Sequence, residues 1–263
     1  MALPSFTESF IWVKKKPAKL KNPILVVGLP GVGFVSKLAV DHLVKDFKAE
    51  KIATLYSPHF PNQVLAMKSG RLRLFSIGFY VAQMGGRDVL FLRGDLQPLT
   101  VEGQFEVSAK ILSFAKDAGC KEVLAMAGFA TSLKKGKPRV FCTSTDKKLF
   151  EKMASFGAVK GENVIPIVGM AGMVPALAKL FGLKGACLLV ETSGVSMDSN
   201  GAKTLLDVLS KFLKQKVDYK HLDERVKKAE KMLKRFEGQA QAPTIQPPAM
   251  PEAVERDVLR YIR

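Results

Sequence analysis

Cysteine is scarce in this 263-residue chain, which has three: Cys120, Cys142 and Cys187. Their odd count, wide spacing and lack of any C-x-x-C pair exclude a disulfide framework and fit buried thiols in a reducing compartment. Histidine is equally sparse. His42, His59 and His221 are scattered, and none has a Cys, His or Asp partner at ligand spacing, so no metal site is expected. Aromatic residues make up only 8%, with a single tryptophan, which leaves little material for the stacking platforms of nucleic-acid binders. Acidic residues are outnumbered, 24 against 41 Lys and Arg, for a net charge of +17. That excess is spread out, the largest share being the +6 of segment 121–160. The one-face concentration typical of nucleic-acid binding is missing, while acidic partners remain favoured. No run can span a membrane: the longest uncharged stretch, Asn163 to Ala178, has 16 residues with Pro166 and Pro175 inside it, where about 20 apolar residues are needed. The first 13 residues carry Glu8 and no basic patch before an apolar run, so they do not read as a signal peptide. A soluble, cytoplasmic protein with no membrane partner is expected. No 20- to 50-residue period is present, which excludes a solenoid.

What is there is a core. Hydrophobic residues make up 47% of the chain, enough for one large domain with an appendage. Ile24 to Gly28 is a continuous apolar run ending in glycine, followed by helical spacing at Val40, Leu43, Val44 and Phe47. Lys51 to Tyr56, Val64 to Met67, Leu72 to Tyr80 and Asp88 to Leu92 read as strands, the middle ones joined by hairpins, so the sheet is mixed. Val101 to Ala118 is an amphipathic helix capped by Gly119. Strands are expected at Glu122 to Ala127, Val140 to Thr143, Val164 to Val168 and Ala186 to Val190, with helices from Asp146, around Pro175 and over Ala202 to Leu213. The alternation gives the fold class α/β: a three-layer α/β/α sandwich with a mixed sheet. After Asp218, positions Leu222, Val226, Ala229, Leu233 and Phe236 form a heptad-spaced seam that suits its own domain or a partner subunit equally. Residues 238–251 (GQAQAPTIQPPAMP) are uncharged, contain four prolines and read as an extended linker after a core domain of residues 1–237. Residues 252–263 place Val254, Val258, Leu259 and Ile262 at helical spacing, as in a tethered docking tail.

Chemistry has two candidate sites. The turn Gly28-Leu-Pro-Gly31-Val-Gly33-Phe-Val-Ser36 joins a strand to a helix, where backbone N–H groups can hold an anion. It lacks the lysine of a P-loop. It approximates a dinucleotide fingerprint without the acidic residue that should end the second strand, which here reads Thr54-Leu55-Tyr56-Ser57. The alternative is that these glycines permit a tight turn and close packing of helix on strand. A similar turn recurs at Val168-Gly169-Met-Ala-Gly172-Met173. On parallel strands the two would share the carboxyl edge of the sheet, with Asp95 and Glu191 nearby. Gly28, Gly31, Gly33, Asp95, Gly169, Gly172 and Glu191 therefore form the candidate pocket, although each acid also suits a turn or cap. No G-x-S-x-G elbow or activated cysteine is recognisable, and no catalytic residue is assigned.

Taken together and in order, Gly28-Leu-Pro-Gly-Val-Gly33, Lys37-Leu-Ala-Val-Asp-His-Leu43, Tyr56-Ser-Pro-His-Phe-Pro61, Gly94-Asp-Leu-Gln-Pro98, Ala127-Gly-Phe-Ala-Thr131, Gly169-Met-Ala-Gly172 and Glu191-Thr-Ser-Gly194 resemble the archaeal branch of the proteasome-assembly-chaperone family. The resemblance covers about residues 20 to 215. It implies a phosphorylase/hydrolase-like α/β/α core and a homo-oligomer, trimer or tetramer. It further implies no cofactor, no catalytic activity, and binding to proteasome α subunits or the α-ring through C-terminal tails. The family's docking signal is a hydrophobic residue, tyrosine and a final residue. Here the chain ends Leu259-Arg-Tyr261-Ile262-Arg263, with Tyr261 third from the end and Arg260 in the hydrophobic place. The expected partner-binding residues are thus Leu259, Tyr261, Ile262 and Arg263.

Overall fold

Ile24, Leu25, Val26 and Val27 are each at most 2% exposed, so the strand they build is covered on both faces. A near-continuous apolar run is what such a strand requires. The computed structural model describes residues 7–15, 19–131, 137–161, 166–228 and 231. Along the chain come β1 (Phe10–Val13), β2 (Ile24–Gly28), α1 (Val35–Asp46), β3 (Glu50–Tyr56), β4 (Val64–Ala66), β5 (Leu72–Leu74), β6 (Ile77–Met84), β7 (Arg87–Gly94) and α2 (Val101–Asp117). They are followed by β8 (Glu122–Ala130), β9 (Val140–Ser144), α3 (Lys147–Ser155), β10 (Val159–Lys160), α4 (Met170–Ala178), β11 (Lys184–Thr192) and α5 (Ser199–Leu213).

Nine strands form one mixed sheet in the order β1-β3-β6-β7-β2-β8-β11-β9-β10, and β4 and β5 make a separate hairpin. Strands β7, β2, β8 and β11 run parallel, which brings their carboxyl ends to one edge. Alternation along the strands sorts the core into two layers. Ile24 and Val26 pack with α1, α3 and α5, and Leu25 and Val27 pack with α2 and α4. This is the three-layer sandwich expected from the alternation of strand and helix. Side-chain caps start three of the helices. Thr100 accepts from the N–H of Gly103, Asp146 from Leu149 and Asp198 from Gly201.

Two expectations need correction. No strand occupies 166–168, and Val164 lies outside the described residues. Pro166 has no N–H to give a ladder, and β11 is already flanked by β8 and β9. The expected strand over Leu72 to Tyr80 divides into β5 and β6, because the first pairs with β4 and the second with β3 and β7. Pro175 sits in the second turn of α4. Strands β1 and β10, four and two residues long, were too short to show a period.

The chain divides into two compact units, 1–226 and 227–263, and the sheet with α1 to α5 belongs to the first. Within it residues 222–226 are helical, and Leu222 and Val226 are buried in the same core as α5. The start of the heptad seam therefore lies on its own domain. Ala229, Leu233 and Phe236, the linker 238–251 and the tail residues Leu259, Tyr261, Ile262 and Arg263 lie outside the described residues.

Candidate functional site

The turn after β2 is closed by its own residues. Ser36 Oγ donates to the Leu29 carbonyl at 2.6 Å, and the Phe34 N–H donates to Gly31 O at 2.9 Å. Gly28 lets α1 approach the sheet, since a Cβ there would lie 2.3 Å from Val40 Cγ2. Gly33 adopts φ +63°, and a Cβ would lie 2.9 Å from Thr192 Oγ1 at the end of β11. These two glycines serve the close approach of elements.

Gln97, in the loop after β7, joins the two glycine turns. Its Nε2 donates to Pro30 O at 2.6 Å, and its Oε1 accepts from the Met170 N–H at 2.9 Å. Met170 is the first residue of α4, so a helix-terminal amide that could face an anion is instead paired with a neutral amide oxygen. Gly31 and Gly169 both lie against the Gln97 side chain. Gly172 is on the far side of that contact, with Gly169, in the wall of a cavity of about 490 Å³ between α4, Phe105 of α2, and Thr143 to Thr145 at the end of β9. Cys187 is the titratable residue in that wall, and burial pushes its thiol up to about 12. Thiols at that value stay protonated at neutral pH and are poor nucleophiles.

The two acids are separately engaged. Asp95 Oδ1 accepts from Arg73 Nη2 at 3.2 Å, and its Oδ2 accepts from Arg73 Nη1 and from the Ser76 N–H at 3.1 Å. Glu191 accepts from the Arg139 backbone N–H at 2.9 Å and from its Nε and Nη2 at 3.0 and 2.7 Å. Strands β2 and β8 separate β7, which Asp95 follows, from β11, which carries Glu191. At about 4.8 Å per strand the acids are roughly 14 Å apart and cannot flank one substrate bond. Neither lines the cavity beside α4. The candidate pocket thus resolves into Gly31 and Gly169 at Gln97, Gly172 beside the cavity, Gly28 and Gly33 in packing, and two independent carboxylate clasps.

Two polar groupings escape sequence reading. His42, whose side chain is fully buried in α1, has Nδ1 at 2.7 Å from Arg225 Nη1 and Nε2 at 2.7 Å from the Asp218 carbonyl. Arg225 donates to Asp46 at 2.6 Å, and His42 Nε2 is 3.0 Å from Asp46 Oδ2. The second is a basic cleft on the α1 face of the sheet containing Lys37, Lys51, Arg73 and Arg93. His42 and Asp46 are an i,i+4 pair on α1, a local spacing, but Arg225 joins them only through the return of the chain after α5, and the members of the cleft meet through strand pairing. Among the described residues no group of three His, Cys, Asp or Glu could hold a metal ion, and no helix is long and apolar enough to cross a membrane.

The fold and the closed glycine turns define the class: a three-layer α/β/α sandwich with a mixed sheet, its ligand-type edge fastened by its own side chains. The sequence model of the PAC2 family matches residues 25–237, and the chain belongs to that family. It is similar to Pyrococcus furiosus PbaB, described as an archaeal proteasome activator, at 36% identity over 88% of this chain and 99% of that one, with a TM-score of 0.78. It is also similar to PbaA of the same organism, an archaeal homolog of proteasome-assembly chaperone, at 25% identity over 88% and 97% of the two chains, TM-score 0.72. An uncharacterized protein of Methanocaldococcus jannaschii is 32% identical over 247 residues, 92% of this chain and 93% of that one.

Proposed function

We propose that this protein is an ATP-independent assembly chaperone or adaptor of the 20S proteasome, a binding protein that engages α subunits through its C-terminal tail. The observation that carries the reading is the likeness to PbaB, which spans nearly all of that activator at 36% identity. The engaged states of Asp95, Glu191 and Gln97 support it, since they leave the glycine turns without a positioned acid, base or open anion site.

The tail supplies the means. Tyr261 follows a linker of 14 residues with four prolines, which at about 3.1 Å per residue reaches roughly 40 Å. One such tail binds weakly. Several tails on a homo-oligomer, trimer or tetramer, gain avidity when their reach matches the spacing of α subunits. The net charge of +17 favours an acidic partner surface and speeds encounter with it at low salt.

The test is capture of α subunits by the full-length protein and by a chain cut after Gly238. Strong capture by the first and at least tenfold less by the second is expected. Equal capture would remove the tail from the mechanism, and no capture by either would remove the proteasome.

A further inference from the structure

On the face of the sheet that α1 covers, β3, β6 and β7 carry an unusual set of side chains. The register places Lys51 opposite Tyr80 and Gly78 opposite Arg93, so all four positions share one face. Beside α1 this face is polar and half-buried. It forms the floor of a cleft of about 330 Å³, bounded by Lys37 of α1, Arg73 of β5, Tyr56 at the end of β3, and Asp95. That volume suits a small molecule of a few functional groups.

Two carboxylates serve its four cations. Asp41 pairs with Lys37 at 3.2 Å and also with Arg93, and Asp95 takes Arg73. Lys51 has no carboxylate within 4 Å among the described residues; its ammonium stands 5.9 Å from the centre of the Tyr80 ring. The same ring has the Arg93 guanidinium at 5.8 Å. Glycine at 78 keeps this arrangement possible, because a Cβ there would meet Tyr80 Cε2 at 2.6 Å and Lys51 Cε at 3.1 Å.

A half-buried ammonium facing two guanidiniums opposes folding unless an anion joins it. Burial lowers the pKa of Lys51 most; Asp95 raises it, and Arg73, Arg93 and Lys14 lower it further. The donors are also the right kind: guanidinium forks and a mobile ammonium are the groups that recognise phosphate and carboxylate oxygens. We propose that this cleft is a binding site for a small multivalent anion, a phosphate ester or a polycarboxylate, held by Lys51 and the guanidiniums of Arg73 and Arg93. The site lies on the sheet face, apart from the glycine turns, and does not depend on tail binding to α subunits.

The experiment titrates the full-length protein with inorganic phosphate, pyrophosphate and citrate at fixed ionic strength and neutral pH, reading melting temperature and calorimetric binding. The variants are Lys51→Met, which keeps the apolar stem, and Lys148→Met as a surface control on α3. At least one anion is expected to bind saturably and raise the melting temperature. Lys51→Met should weaken that binding about tenfold or more, and Lys148→Met should leave it unchanged. Binding of phosphate or pyrophosphate alone assigns the phosphate-ester class, and binding of citrate alone the polycarboxylate class. Without added anion, Lys51→Met should melt at the same or a higher temperature. Failure of all three anions to bind saturably would overturn the proposal. So would equal binding by Lys51→Met, or a lower melting temperature of that variant without anion.

Discussion

At His42 the hydrogen-bond pattern decides the protonation state. The Arg225 guanidinium can only donate, so Nδ1 must accept, which places the single ring proton on Nε2, facing the Asp218 carbonyl. A second proton would point at the guanidinium. Burial lowers the pKa below its usual value of 6.5; the Asp218 carbonyl and Asp46 raise it, and Arg225 lowers it. The unfolded chain therefore binds this proton at a higher pH than the folded one. No stability is lost above about 6.5, and stability falls as pH drops below that value toward the folded pKa. The melting temperature of the wild type should accordingly decline between neutral and mildly acidic pH. A His42→Gln variant should show a flatter decline over the same range, and equal slopes would contradict the assignment.

Between elements, Gln97 connects the turn after β2 to the start of α4 from a loop that belongs to neither. Replacing it with alanine leaves a carbonyl and an amide to find water, a loss of about 1–3 kcal/mol, read as a lower midpoint in denaturant unfolding. Gln97→Glu should be tolerated less well than its size implies, because a carboxylate can accept from Met170 but cannot donate to Pro30. This tie also marks where sequence reasoning stops. The apolar runs of β2, β8 and β11 and the caps at Asp146 and Gly119 were legible because each is a local pattern. The glycines at 28 and 33 were legible as packing or as anion sites, and only the neighbours Val40 and Thr192 decide between the two. The resemblance of the second glycine turn to the first was real in sequence, yet no strand residue lies at 166–168 before it. Likewise Lys51 and Arg93 are 42 positions apart, and only the pairing of β3, β6 and β7 sets them in one cleft.

For the molecule as a whole, the sheet is sealed where its core chemistry would otherwise be reactive. Cys120, Cys142 and Cys187 all sit at 4% exposure or less, and burial pushes each thiol up to about 12. In native buffer Ellman's reagent should release little colour over minutes, and all three groups should respond once denaturant is added; rapid release without denaturant would contradict the packing. The native chain is thus already a blank for thiol labelling. A cysteine added after Arg263 would be the one site a maleimide dye finds, so the C-terminal tail could be followed by fluorescence with no background substitutions in the body.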